Sequence, residues 1–301
     1  STFLNSKEVR SIGSSLAVSH NDTRMDGTFE SVKHEAGLIV LMHALDFGGG
    51  WRQELHKFHG KGAFATVKPG VENLCQTQPN LTASWLAGLS QKEVGEMFGL
   101  AGSKELEPFV ERLTLVCNEV GNGVIAAGFA TVGEYIEGKL EIAQTTEAPA
   151  AVLVEALVDS FPYAFNDVHE LGGRPVIFYK KAQLVVGELG HRFRKEDPRF
   201  DFNDFSKLTA FIDNVIVAVL RKHGVVATTT ELADKIDSHV HLPSGSVEEV
   251  SLRAAAMVGV ETTASKLGLD PCEVGNYLWG YLGKQPDHRK YQRHATKDTV
   301  D

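Results

Sequence analysis

Apolar residues recur at three- and four-residue spacing along most of this chain, behind residues of the kind that open helices, and very little of it alternates apolar with polar. A 3.6-residue period demands helices that bury one stripe against each other, so the pattern points to a mainly α fold with at most a few short strands. Ser90 with Glu93 and Ser246 with Glu249 have the spacing of capping boxes, where a hydroxyl and a carboxylate three residues on satisfy orphan amides of a helix start. Helices are expected near 30–46, 104–120, 123–137, 148–160, 178–194, 204–222, 230–238, 247–267 and 271–282. Arg174–Tyr179, after the Gly172-Gly173 turn, is the best strand candidate, and 139–144 is a weaker one.

The 301 residues allow about two domains of roughly 150 residues, or one large one. Composition shifts softly at Gly48 to Gly70 and at Thr145 to Pro149, and neither stretch is a long linker. One compact unit of two lobes is therefore expected, a helical lobe over about 20–145 and a second over 146–301 that carries most candidate site residues. Acidic residues outnumber basic ones 39 to 30, a net charge of −9, which argues against a surface built to neutralise nucleic-acid phosphates and leaves a small charged ligand open. Cys75, Cys117 and Cys272 are odd in number and far apart, which suggests neither a disulfide framework nor a zinc knuckle and fits a reducing compartment. No run of about 18 apolar residues and no signal-like segment occurs, so the expected location is cytoplasmic, away from membranes. Sequons at Asn21 and Asn80 match a pattern too short to weigh against that.

Local motifs are weak. Gly48-Gly49-Gly50 and Gly60-Lys61-Gly62 have a phosphate-loop flavour but do not fit Gly-x-x-x-x-Gly-Lys-Ser/Thr. His56-x-x-His59 and His239-x-His241 have metal-like spacing without acidic or thiol partners, so surface histidines are expected, with no metal and no cofactor. Carboxylates in apolar helical stretches say more, because burying an unpaired charge is costly. Asp213, read as part of a helix, has only Thr209, Ala210, Ile216 and Val217 on its face, so it either meets a ligand or pairs with a distant cation. Glu261, among Met257, Val258, Ala264 and Ser265, makes the same argument less strongly. Glu188 has His191 and Arg192 one turn on, and Arg253 lies four residues after Glu249, so local ion pairs are an adequate explanation of both.

Several blocks together resemble the queuosine salvage protein family, the queuosine 5'-phosphate N-glycosylase/hydrolases. They are FPYAFNDV from Phe161, GGRPV from Gly172, FYKKAQLVVGEL from Phe178, the aspartate-bearing FNDFSKLTAFIDNVIVAVLRKHGVV from Phe202, and LPSGSVEEVSLRAAAMVGVET from Leu242. NYLWGYLGK from Asn276 and Arg293-His294-Ala295-Thr296 resemble the family's closing Leu-Trp and His-x-Thr elements. The likeness covers roughly residues 40–296 and is strongest after Phe161. Three places depart from the family's pattern. Asp213-Asn214-Val215-Ile216-Val217-Ala218 stands where the family usually has Asp-Tyr-Arg-Val-Pro-Gln, Gly187-Glu188 replaces Ala-Asp, and Asp46-Phe47-Gly48-Gly49-Gly50-Trp51 replaces Asn-Phe-Ser-Phe-Trp.

The resemblance implies a helical fold akin to DNA glycosylases and hydrolysis of queuosine 5'-monophosphate to queuine and ribose 5-phosphate. It makes Asp213 the expected catalytic carboxylate, stabilising positive charge on the ribose and orienting water. The substrate's secondary amine calls for an acid from among Asp46, Glu188 and Glu261, and its phosphate for a cation from among Lys180, Lys181, Arg253 and His294. Phe47 or Trp51 is expected to stack on the base, with core packing the competing explanation. The expected partner is thus a small nucleotide rather than nucleic acid, and no oligomeric state is implied. A hydrolase for another modified nucleotide, suggested by the departures around Asp213, and a non-catalytic nucleoside binder on the same scaffold are the alternatives. A DNA glycosylase, suggested by Leu242-Pro243-Ser244-Gly245-Ser246, fits poorly with the net charge of −9.

Overall fold

The computed structural model describes residues 4–5, 7–11, 29, 31–78 and 80–300, so the sequon at Asn21 lies outside the described residues. The chain is mainly α. In order it forms α1 Val32–Ala44, α2 Arg52–His59, α3 Ala63–Thr77, α4 Ala83–Ala87, α5 Gln91–Met97, α6 Glu107–Ala126, α7 Val132–Ala143, α8 Pro149–Ser160 and α9 Pro162–Phe165. A hairpin of β1 Val168–Leu171 and β2 Arg174–Ile177 follows. Then come α10 Lys180–Phe193, α11 Asn214–Lys222, α12 Thr230–Asp237, α13 Val247–Leu267, α14 Pro271–Gly280 and α15 Pro286–Arg289.

Ser31 caps α1, and every residue from His34 to Ala44 is buried. A helix buried all round is a central one, and α1 is packed by α3, α7 and α10. Buried apolar residues fall into two clusters. One runs from Ala36 to Leu208 with Cys272, and the other from Ala210 to Leu278 with Leu4 and Val9. The hairpin pairs Val168 with Ile177 and Leu171 with Arg174 in antiparallel register. Gly172 and Gly173 close it at φ of 60° and 75°, the positive-φ pair that a two-residue turn of matching twist requires.

Two sequence expectations are corrected. Residues 139–144 form no strand: the capping box of Thr131 and Glu134 starts α7, and burial at Val132, Tyr135, Ile136, Leu140 and Ala143 keeps helical spacing through it. Its alternation came from Ile142, which points outward at 58% exposure. The helix expected over 204–222 begins only at Asn214, after a single 3-10 turn at Phe205–Lys207. The polar groups of that segment are engaged elsewhere. Asp204 accepts from the Ala150 and Ala151 amides at the start of α8, and the Thr209 amide donates to Gln183 of α10. The box at Ser90 and Glu93 forms as expected, whereas Glu249 accepts from the Gly245 amide while Ser246 accepts from the Glu249 amide. The Gly-rich stretch after Gly48 carries α2 and α3.

Candidate active site

Asp213 is not inside a helix. It is the N-cap of α11, with an extended backbone and Oδ1 accepting from the Val215 and Ile216 amides at 2.9 Å each. Asp is among the best N-cap residues, because its oxygen satisfies amides that the helix leaves orphaned. The result is a carboxylate held in one orientation, half-buried, at the wall of a cavity of about 420 Å³.

Other segments bring side chains to that wall. The stretch after α1 supplies Asp46 and Phe47, the first residue of α10 supplies Lys180, and the C-terminal region supplies Trp279, Arg289 and Arg293. Gly48 and Gly49 allow the first of these to sit there. Gly48 has φ of 111°, and a Cβ on it would come within 2.7 Å of Phe109 and 2.9 Å of Ala63, while one on Gly49 would collide with the Asn214 amide. The run Gly48-Gly49-Gly50 is thus a close-packed stretch, Gly48 against Phe109 and Ala63, Gly49 against the Asn214 side chain of α11 and Gly50 against the Thr296 carbonyl.

Cations outnumber carboxylates in the lining of the cavity. Arg52, His56, Arg289 and Arg293 share one part of its lining. Burial and then Arg289 lower the Arg52 pKa, and burial and then Arg52 lower that of Arg293, with Asp213 pulling it back up. His56 is pushed down by burial and by Arg52. Cations that disfavour one another's charge are a prepared site for an anion. Nothing in local spacing singles out these arginines. The available signal was the density of cations in His288-Arg289-Lys290 and Arg293-His294, far from any one helix face.

The structure brings together Asp213, Asp46, Phe47 and Lys180 of the expected site residues. His294, only 2% exposed, lines a neighbouring cavity that shares the arginine wall. The others take structural positions. Trp51 is buried against Phe109 with ring centroids 5.2 Å apart, so core packing explains it, and Phe47 alone of the two aromatics reaches the cavity. Lys181 is fully buried: its Nζ donates to the Ala44 carbonyl at 2.6 Å and lies 5.0 Å from the Phe47 ring centroid. It ties the C-terminal end of α1 to α10 from behind Phe47, and burial pushes its pKa down to about 7. Glu188 meets His43 of α1 at 2.6 Å, not its neighbours on α10, because Arg192 pairs with Glu35 and Glu196.

Arg253 is corrected as a phosphate ligand. It is completely buried, forked onto Asp167 at 2.5 and 3.0 Å, bonded to Glu249 at 3.1 Å, and stacked 4.0 Å from the Phe178 ring centroid. Two carboxylates already engage its charge, and it locks the hairpin onto α13. Asp167 is held below the usual carboxylate range because Arg253 and His169 outweigh its desolvation. Glu261 is exposed on α13, so the apolar neighbours read from spacing do not enclose it, and it lines neither of these cavities. Among the described residues no group of three His, Cys, Asp or Glu is placed to hold a metal ion, and no helix is long and apolar enough to cross a membrane.

The cavity thus joins a half-buried, pinned carboxylate to a cationic wall. The family model for the queuosine salvage protein matches residues 42–298, and the chain belongs to that family. It is 32% identical to the queuosine 5'-phosphate N-glycosylase/hydrolase of Sphaerobacter thermophilus over 84% of this chain and 79% of that one. It is 29% identical to the protein of the same name from Dictyostelium discoideum over 85% of this chain and 76% of that one, and 27% identical to that of Mus musculus over 72% and 65%.

Proposed function

We infer that this protein is a nucleotide N-glycosyl hydrolase that cleaves queuosine 5'-monophosphate to queuine and ribose 5-phosphate, for queuine salvage. The observation that carries the reading is Asp213, fixed by two backbone amides at the wall of a cavity that also presents Arg52, Arg289 and Arg293. Departure of the base leaves positive charge on the ribose ring, and a carboxylate already oriented stabilises it without reorganisation. The C1'–N bond breaks, water adds to C1', and Asp213 takes its proton as the C1'–O bond forms, while the departing base carries off the electron pair and is protonated in turn. The arginines take the 5'-phosphate, with forked donors suited to its oxygens, and Lys180 adds a further cation to the same cavity. Asp46 takes the substrate's amine, and Phe47 offers the base an apolar surface kept in place by Phe109 and Lys181 behind it. A hydrolase for a different modified nucleotide is the second reading, favoured by Asn214 and Val215 at the cavity wall where the family usually has Tyr and Arg.

The test is chromatographic detection of free base after incubation with queuosine 5'-monophosphate, queuosine or GMP, with and without chelator. Release of queuine from the monophosphate, faster than from the nucleoside, supports the reading. Release only from another nucleotide supports the second, and no release by folded protein favours a binder.

A further inference from the structure

The arginine wall has a second face. Gly49, Arg52, His56, Asn214, Arg289 and Arg293 line the active-site cavity and also a neighbouring one of about 300 Å³. That neighbour continues along Gln53, His239, His241, Tyr291, Gln292 and His294. The two differ in charge. Asp46 and Asp213 line the first, whereas every ionisable residue lining the second is Arg, His or Tyr and none is Asp or Glu. Burial and then Lys297 lower the pKa of His241, with Glu54 pulling it back up, as burial and then Arg52 lower that of His56. A half-open space whose lining offers cations and neutral donors and carries no carboxylate of its own suits a second anionic group. A guanidinium has five donors in a planar fork, so one arginine can serve oxygens on both of its edges.

We propose that the second cavity is a phosphoryl subsite, so that the protein takes nucleoside 5'-diphosphates as ligands, the first phosphate on one face of the arginine wall and the second on the other. The proposal rests on the reading above only in placing the 5'-phosphate against these arginines. Gln53 and Gln292 line the second cavity and not the first, on separate segments, and Gln→Glu at either adds a negative charge with almost no change of shape.

The experiment is calorimetric titration of orthophosphate, pyrophosphate, GMP and GDP into the wild type, Gln53→Glu and Gln292→Glu, each checked for an unchanged melting temperature. Pyrophosphate should bind at least about tenfold more tightly than orthophosphate, and GDP than GMP, and each substitution should remove about tenfold of that gain. GMP should lose less than GDP, since its single phosphate sits on the face of the arginine wall that Gln53 and Gln292 do not line. GDP binding no better than GMP, or a gain that survives both substitutions, overturns the proposal; so does a gain for pyrophosphate that GDP does not share. Queuine release on the same preparations separates the two readings. Release without a diphosphate gain sinks the subsite alone, and a gain without release sinks the hydrolase reading and leaves the subsite.

Discussion

Asp213→Asn separates the two roles that one side chain plays. Oδ1 accepts from the Val215 and Ile216 amides, and the Asn carbonyl oxygen can accept from both in the same place. Asn and Asp are nearly equal as N-caps, so stability should change by less than about 0.5 kcal/mol. What is lost is a negative charge. A unit charge about 4 Å from a developing cation is worth about 4 kcal/mol at an effective dielectric of about 20, and at about 1.4 kcal/mol per decade that is roughly a thousandfold in rate. The assay is single-turnover release of base from queuosine 5'-monophosphate with enzyme in excess, which reads the chemical step alone, beside thermal melting and a binding titration. Turnover should fall by roughly three decades with melting and binding unchanged. Turnover within about tenfold of wild type would refute the electrostatic role, because desolvation at the wall should strengthen the charge and not weaken it. Asp213→Ala is the control for the cap, expected to lose about 1 kcal/mol of stability as well as turnover.

Arg293→Gln should raise KM for the monophosphate by about 10- to 100-fold and leave the nucleoside nearly unaffected, from the worth of a hydrogen bond to a charged group; equal losses on both would place the phosphate elsewhere. Lys181 is held near 7 in the folded chain against an ordinary value of 10.5, so the unfolded chain binds the extra proton between those values and stability should rise with pH across that window. The slope approaches about 1.4 kcal/mol per pH unit, and urea denaturation at pH 7 and 9 should show it in the wild type and lose it in Lys181→Met. Arg253→Ala strands Asp167 and Glu249 in the interior and should cost about 3–5 kcal/mol in urea unfolding. An effect on phosphate affinity without that loss would restore Arg253 as a ligand.

Periodicity located most of the helices because burying a stripe is a local demand, met wherever apolar residues recur every three or four positions. It failed at 204–213 for a reason that is not local. Leu208, Ala210 and Ile212 are buried in alternation with Thr209 and Phe211, an extended rather than helical period, and with Asp204 capping α8 and Thr209 donating to Gln183 this segment's polar groups serve other elements. Asp213 was therefore legible as an unusual carboxylate but not as a cap, although Asp ahead of an apolar helical run is a cap signal in its own right. The pairings that removed Lys181, Glu188 and Arg253 from the cavity join residues 137, 145 and 86 positions apart, beyond the reach of any spacing rule.

The arginines make the same point from the other direction. Arg52 opens α2, while Arg289 ends α15 and Arg293 follows it, and the approach of Gly50 to the Thr296 carbonyl, with the Lys297–Glu54 ion pair at 2.6 Å, helps fold the two regions onto one cavity. That glycine is therefore a site residue without touching a ligand through any side chain. A Cβ at Gly49 would collide with the side-chain nitrogen of Asn214, the first residue of α11, and turn that side chain within the cavity that Asp213 lines. Gly49→Ala should accordingly lower turnover while leaving the α11 cap itself intact. The net charge of −9 hides the cationic wall for the same reason that spacing does: an average over 301 residues says nothing about which of them the fold brings together.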